Sequence, residues 1–254
     1  SVQIAIITGA SSGLGRQCTA YADRQGLDEI WLLARRRDRL EEVAAGLTTQ
    51  ARVIALDLTE EASWNELDEL IQAARPDIAC VIHAAGFGRI GPTADLTTQG
   101  QLAMIRIHCE ASLALTKSVV PYMQRGARLV FISSVAAFLP IPYFNVYAAA
   151  KAFLLRYSRA LRQELQPRGI SVTAVCPYWV GDTEFVSAAR QEGGSRYFPR
   201  LFLPSKSAAV MQEVWRDIEA RRELSVPGWQ AKLIRLASGL LPQRVMLWFC
   251  RLFA

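Results

Sequence analysis

The stretch Gln3-Ile4-Ala5-Ile6-Ile7-Thr8-Gly9-Ala10-Ser11-Ser12-Gly13-Leu14-Gly15 decides the fold of this 254-residue chain. Gln3–Thr8 is a short apolar, β-branched run that reads as a buried strand, a glycine-rich turn follows it, and a helical pattern begins directly afterwards. Glycines in such a turn let the backbone approach a pyrophosphate closely, while free N–H groups and the positive end of the helix stabilise its charge. Glycines also make ordinary turns, so it is the order strand, turn, helix that carries the reading. The candidate phosphate contacts are Gly9, Ser11, Ser12, Gly13, Leu14 and Gly15.

Outward from this turn, further short apolar runs alternate with amphipathic stretches. Ile30–Ala34, Arg52–Leu56, Ile78–His83, Arg128–Ser133 and Ile170–Cys176 read as strands separated by helices. The expected fold class is α/β, a Rossmann-type doubly wound parallel sheet in a three-layer α/β/α sandwich. No repeat or low-complexity linker divides the chain, so residues 1–254 are expected to form one domain, with a substrate loop over about 178–204 and an apolar helical extension over about 228–254. A helix near Ser205–Arg222 and a short strand near Glu223–Pro227 lie between them.

Half of the residues are apolar and a fifth are charged, which suits a globular enzyme and excludes a disordered or fibrous chain. Five scattered cysteines show no paired C-x-x-C spacing, so buried thiols are expected and no metal site. No basic n-region precedes an apolar h-region, so no secretory signal is read and a cytoplasmic location is expected. The net charge of +6 is mild, and no basic-aromatic recognition pattern points to nucleic acid.

The second strand ends in Leu33-Ala34-Arg35-Arg36-Arg37, where a dinucleotide fold that prefers NAD carries an acid for the ribose 2′-hydroxyl. Arginine in its place accommodates a 2′-phosphate, so Arg35 and Arg36 favour NADP(H) over NAD(H). Arg37 and Arg39 fit the solvated start of a helix better. Asp57 and Leu58 follow the third strand; Asp57 can accept a bond from an adenine amino group or serve as a turn aspartate beside Thr59. After the fourth strand, Ala84, Ala85 and Gly86 are small enough for an adenosine ribose to pass.

Strand Leu129–Ile132 ends in Ser133-Ser134, and the chain then reads Tyr147-Ala148-Ala149-Ala150-Lys151. Residues four apart share one helix face, so the ammonium can lie near the phenol or the ribose hydroxyls. A phenol with a pKa near ~10 is a poor base at neutral pH, and a neighbouring cation lowers that pKa. Ser134, at a strand's carboxyl end, can donate to a substrate oxygen as negative charge develops there.

Thr8-Gly9-x-x-x-Gly13-x-Gly15, Ser134, and Tyr147-x-x-x-Lys151 together resemble the classical short-chain dehydrogenases/reductases over roughly residues 2–185. The resemblance implies that Tyr147 exchanges the substrate proton, that Lys151 binds the nicotinamide ribose and lowers the phenol's pKa, and that Ser134 orients the carbonyl. It also places Pro177, Val180 and Thr183 beside the nicotinamide. Three positions depart from the family pattern. His108 stands where an asparagine usually holds a water of the proton relay, and imidazole can serve in that role. His83-Ala84-Ala85-Gly86 replaces Asn-Asn-Ala-Gly and removes two amides that steady the central strands. Pro177-Tyr178 replaces Pro-Gly, with Thr183 one position late.

The implied activity is hydride transfer between NADP(H) and a ketone or secondary alcohol. The aromatic residues Tyr178, Trp179, Phe185, Tyr197, Phe198 and Phe202, together with Phe138, Leu139, Ile141, Tyr143 and Phe144, point to a bulky hydrophobic substrate, steroid-, bile-acid- or acyl-like. A non-catalytic NADP(H)-binding sensor or scaffold on the same fold is the alternative. The resemblance further implies a homodimer or homotetramer built on helices around 97–124 and 147–166. The tail from Gly228 reads as an amphipathic basic helix pair that packs on the protein or makes peripheral membrane contact.

Overall fold

The computed structural model describes residues 1–185, Ala189 and 203–252. Strands β1 (Gln3–Thr8), β2 (Glu29–Ala34), β3 (Gln50–Ala55), β4 (Asp77–His83), β5 (Met123–Ile132), β6 (Ser171–Val175) and β7 (Leu224–Ser225) form one parallel sheet in the order β3-β2-β1-β4-β5-β6-β7. The order reverses between β1 and β4, which is where doubly wound sheets open a crevice at the carboxyl ends of their strands. The expected fold class is therefore observed.

Alternation along each strand supplies two faces to cover. Ile4, Ile6, Trp31, Leu33, Val81 and Phe131 point to one side and meet Leu67 and Ile71 of α3 (Glu61–Ala74), Leu115 and Val119 of α5 (Ala111–Val119), and Leu154 and Leu161 of α6 (Asn145–Leu165). Ala5, Ile7, Ile30, Leu32 and Ile82 point the other way, onto Cys18 and Tyr21 of α1 (Gly13–Ala22), Leu40 and Val43 of α2 (Arg37–Ala45), and Val210 and Val214 of α7 (Ser207–Glu219). Full burial of each large side chain contributes on the order of 1.5–3 kcal/mol, so the central strands hold both layers firmly.

Strand β5 begins five residues before the expected Arg128, because Met123 pairs with Ile78 across an irregularity in the ladder. Helix α4 (Thr98–Ile105), capped by the Thr97 hydroxyl accepting from the Gly100 N–H, runs into a π-helical turn over Arg106–Glu110 before α5. The basic tail forms α8 (Trp229–Leu240) and α9 (Gln243–Leu252).

Candidate active site

Helix α6 buries one stripe spaced by three and four residues: Tyr147, Lys151, Leu154, Ser158, Leu161 and Leu165. Its first two members are polar groups placed where the helix pattern demands core. Each needs a polar partner, because burying an unpaired polar group is costly. The ends of β5 and α6 supply those partners. The Ser133 hydroxyl donates to the Lys151 carbonyl at 2.8 Å, and Lys151 Nζ donates to the Ile132 carbonyl at 2.8 Å. Ser134 caps the short 3₁₀ turn after β5, its Oγ accepting from the Ala136 N–H at 3.1 Å. That bond leaves the hydroxyl proton free to point towards Tyr147.

Burial pushes the Tyr147 phenol above its ordinary value, and the Ser134 side chain opposes the shift by hydrogen bonding. Burial also pulls Lys151 down to about 7. The ammonium lies 5.4 Å from the Tyr147 ring centre, turned to the Ile132 carbonyl. Desolvation dominates the phenol, and the opposing hydrogen bond comes from Ser134.

His108 sits in the π-helical turn, 1% exposed, with its ring edge against Tyr147 at 5.5 Å. Its Nε2 is 2.8 Å from the Phe87 carbonyl, which can only accept, so Nε2 carries the proton and Nδ1 is an acceptor. Nδ1 is buried with no partner among the described residues. Burial and the Lys151 charge hold this imidazole neutral. Gly86 makes the approach feasible, because a Cβ there would overlap the imidazole ring.

His83, where two steadying amides are missing, steadies the strands in another way. It stacks on Phe131 of β5 at 4.5 Å, and its Nε2 lies 3.2 Å from the Thr116 hydroxyl.

Above these residues lies a cleft of about 760 Å³ that runs from the glycine turn to Tyr147. Gly9, Ser12, Gly13, Leu14, Gly15, Arg35, Arg36, Ala84, Gly86, Ser134, Tyr147, Lys151, Pro177, Val180 and Thr183 all line it. Gly9 has φ +68°, and a Cβ there would come within 2.8 Å of the Ala84 and Ala85 backbone. The Thr8 hydroxyl accepts from the Ala84 and Ala85 N–H groups, tying the turn to the end of β4. Ser12 precedes α1 without a side-chain cap, so the first-turn N–H groups of that helix are left for an anion. This donor set fits a dinucleotide.

Ser11, Asp57, Leu58, Ala85 and His108 do not line the cleft. Ser11 is buried behind the turn, and Leu58 packs with Ile107, Ala111 and Ala85. One Asp57 oxygen accepts from the Thr59 N–H and hydroxyl at 3.0 and 2.7 Å, and the other lies 4.0 Å from Arg35. Asp57 is thus a turn aspartate facing the arginine rim. The Thr183 hydroxyl donates to the Val180 carbonyl.

Sequence reasoning missed two residues of the rim. Arg39, three positions after Arg36 and so on the same helix face, lines the cleft, and Glu184 of the covering loop pairs with it at 2.8 Å and with Arg36 at 3.6 Å. Helical spacing alone could have placed Arg39 beside Arg36. Around Tyr147 the wall is aromatic: Phe144 stacks at 4.2 Å and Phe185 lies at 5.4 Å. Tyr178 and Trp179 also line the cleft, whereas Tyr197, Phe198 and Phe202 lie outside the described residues.

Comparison with known proteins identifies relatives of the whole fold. The very-long-chain 3-oxoacyl-CoA reductase of Aspergillus fumigatus is 31% identical over 223 residues, covering 84% of this chain and 62% of that protein. The chain therefore spans under two thirds of the length of that relative. A short-chain dehydrogenase from Sphingobium yanoikuyae, solved with NADPH, is 26% identical, with a TM-score of 0.79 over 96% of this chain and 95% of its own. The bulky-bulky ketone specific alcohol dehydrogenase of Comamonas testosteroni, at 24% identity, shares the fold, with a TM-score of 0.75 over 93% of this chain and 92% of its own. The pattern described as short chain dehydrogenase matches residues 3–193, and the chain belongs to the short-chain dehydrogenase/reductase family.

Proposed function

We propose that this chain is a single-domain, NADP(H)-dependent oxidoreductase that interconverts a bulky hydrophobic ketone and its secondary alcohol. The carrying observation is that Ser134, Tyr147 and Lys151 converge at one end of a cleft whose other end is the glycine turn and an arginine rim. When bound, the nicotinamide supplies or accepts the hydride. Gly9, Ser12, Gly13 and the α1 N-terminus would hold its pyrophosphate, and Arg35, Arg36 and Arg39 its 2′-phosphate. The relative solved with NADPH supports that preference.

Tyr147 then works as an acid. Its raised pKa keeps the phenol protonated at neutral pH, the form needed to donate to a carbonyl oxygen as negative charge grows there. The Ser134 hydroxyl donates to the same oxygen. Lys151, brought down to about 7 by burial, is poised to bind ribose hydroxyls and to return a proton towards the phenol. His108 offers Nδ1 as the acceptor for a relay water.

Phe144, Phe185, Ile141 and Trp179 give the substrate end an apolar wall, and the acyl substrate in the name of the Aspergillus relative is of matching character. Half-exposed Leu102, Ile105, Leu113 and Phe153 on α4, α5 and α6 give a homodimer or homotetramer its contact face.

The test is to mix the purified protein with NADPH and a panel of bulky aryl and acyl ketones and follow NADPH absorbance. Ketone-dependent oxidation, faster than with NADH, is the expected result. Binding of NADPH with no oxidation by any ketone would favour the sensor reading, and no binding would overturn the proposal.

A further inference from the structure

Helices α8 and α9 each bury one side and expose an apolar stripe on the other. In α8 the inner residues Ala231 and Ile234 pack with Val135 and Tyr178, which themselves line the substrate cleft. At 3.6 residues per turn, Trp229, Leu233, Leu236 and Leu240 fall in one row on the opposite side, with Leu236 59% and Leu240 73% exposed. In α9, Met246 faces inward, while Val245, Trp248 and Phe249 face outward, Trp248 at 56% exposure. A wholly polar outer face would satisfy water, whereas these helices place an apolar stripe between their exposed cations.

The charges along these stripes have one sign. Residues 228–252 contain Lys232, Arg235, Arg244 and Arg251 and no aspartate or glutamate. Lys232 is taken up by Glu213, whereas Arg235, Arg244 and Arg251 have no acidic partner among the described residues. Arg244 and Arg251 are seven positions apart, so they lie above one another along the edge of the α9 stripe. An isologous dimer through this face would set the same cations of both copies against each other with no acid to offset them. An anionic partner with an apolar interior satisfies both halves of the pattern.

We infer that the exposed stripes of α8 and α9, edged by Arg235, Arg244 and Arg251, form a docking surface for an anionic lipid bilayer. Among the described residues, no helix is long and apolar enough to cross a membrane, so the helices lie in the interface with Trp248, Phe249 and Leu240 in the acyl boundary. The inner face of α8 packs behind Val135 and Tyr178 of the cleft wall, so the docking surface lies one helix away from the cleft. The inference stands on these surfaces alone and does not depend on the proposed chemistry.

The experiment is flotation of the full chain with phosphatidylglycerol-containing and pure phosphatidylcholine vesicles, alongside sedimentation of the protein without lipid. The expected result is flotation with the anionic vesicles only, weakened by salt. Each arginine near the surface is worth roughly fivefold in affinity, so Arg244→Glu/Arg251→Glu should weaken flotation by at least roughly 25-fold. Trp248→Ser should also weaken it, with the thermal unfolding midpoint unchanged within a few degrees in both variants. No flotation of the native chain, or flotation that ignores the arginine reversals, would overturn the inference. So would self-association that Leu240→Ser abolishes while no vesicle is bound.

Discussion

The two ends of the cleft are built on opposite principles. At the substrate end, Tyr147 and Lys151 are buried and Ser134 is partly buried beside them; Ser134 and Lys151 are held by hydrogen bonds to backbone groups, and Tyr147 meets the Ser134 side chain. At the other end, Arg35, Arg36 and Arg39 stand in solvent and are located mainly by charge, facing Asp57 and Glu184. Desolvation dominates the first and retunes its proton affinities, whereas water and salt screen the second. Chemistry and cofactor choice are therefore separable, and changes at the two ends should act on different measured quantities.

The largest effect is expected at the buried end. Tyr147→Phe removes the proton donor and should lower kcat by roughly 10²–10⁴-fold while leaving the NADPH Kd within about twofold. At the exposed end, Arg35→Ala/Arg39→Ala should weaken NADPH by roughly 30-fold and NADH hardly at all, and high salt should shrink the difference. Equal weakening of both cofactors in fluorescence titrations would remove the 2′-phosphate role.

A third effect belongs to the core alone. His83 and His108 are the chain's two histidines, and burial holds His83 down at about 3 and His108 well below its usual range. Both stay neutral in the folded protein and take up protons on unfolding below pH 6.5, so stability should fall as pH drops through 6.5 towards 3. Between pH 6.5 and 5 the slope of unfolding free energy should correspond to at most about two protons, and His83→Gln should roughly halve it. An unchanged slope would show that His83 is charged in the fold.

The smallest effect is that of Glu184. Its pairs with Arg36 and Arg39 are solvent-exposed and occupy the cations a 2′-phosphate would use. Glu184→Gln should tighten NADPH by only roughly two- to fivefold, the range of exposed ion pairs. Weaker NADPH binding in this variant would mean that the loop contact organises the rim instead of competing for it.

The same contrast explains what the sequence made legible. The apolar runs of β1 and β4 and the glycine turn are local signals, and periodicity located them to within a residue. Tyr147 and Lys151 were readable because helix spacing alone puts them on one face. The Arg39–Glu184 pair joins residues 145 positions apart through exposed charge, which no local pattern encodes. The raised pKa of Tyr147 comes from burial assembled from β5, the Phe144 turn and the π-helical turn, which spacing along one helix does not encode. His83 had its role rebuilt through stacking on Phe131, a contact that only the register of β4 against β5 creates.

The most direct test of the separation is to measure kcat for one ketone and the NADPH Kd side by side on Tyr147→Phe and Arg35→Ala/Arg39→Ala. The first variant should lose kcat and keep Kd, while the second should lose NADPH affinity and keep kcat at saturating NADPH. If Tyr147→Phe retained full turnover, or if both variants lost both quantities in proportion, the division of the cleft into a chemical end and a cofactor-selecting end would be contradicted.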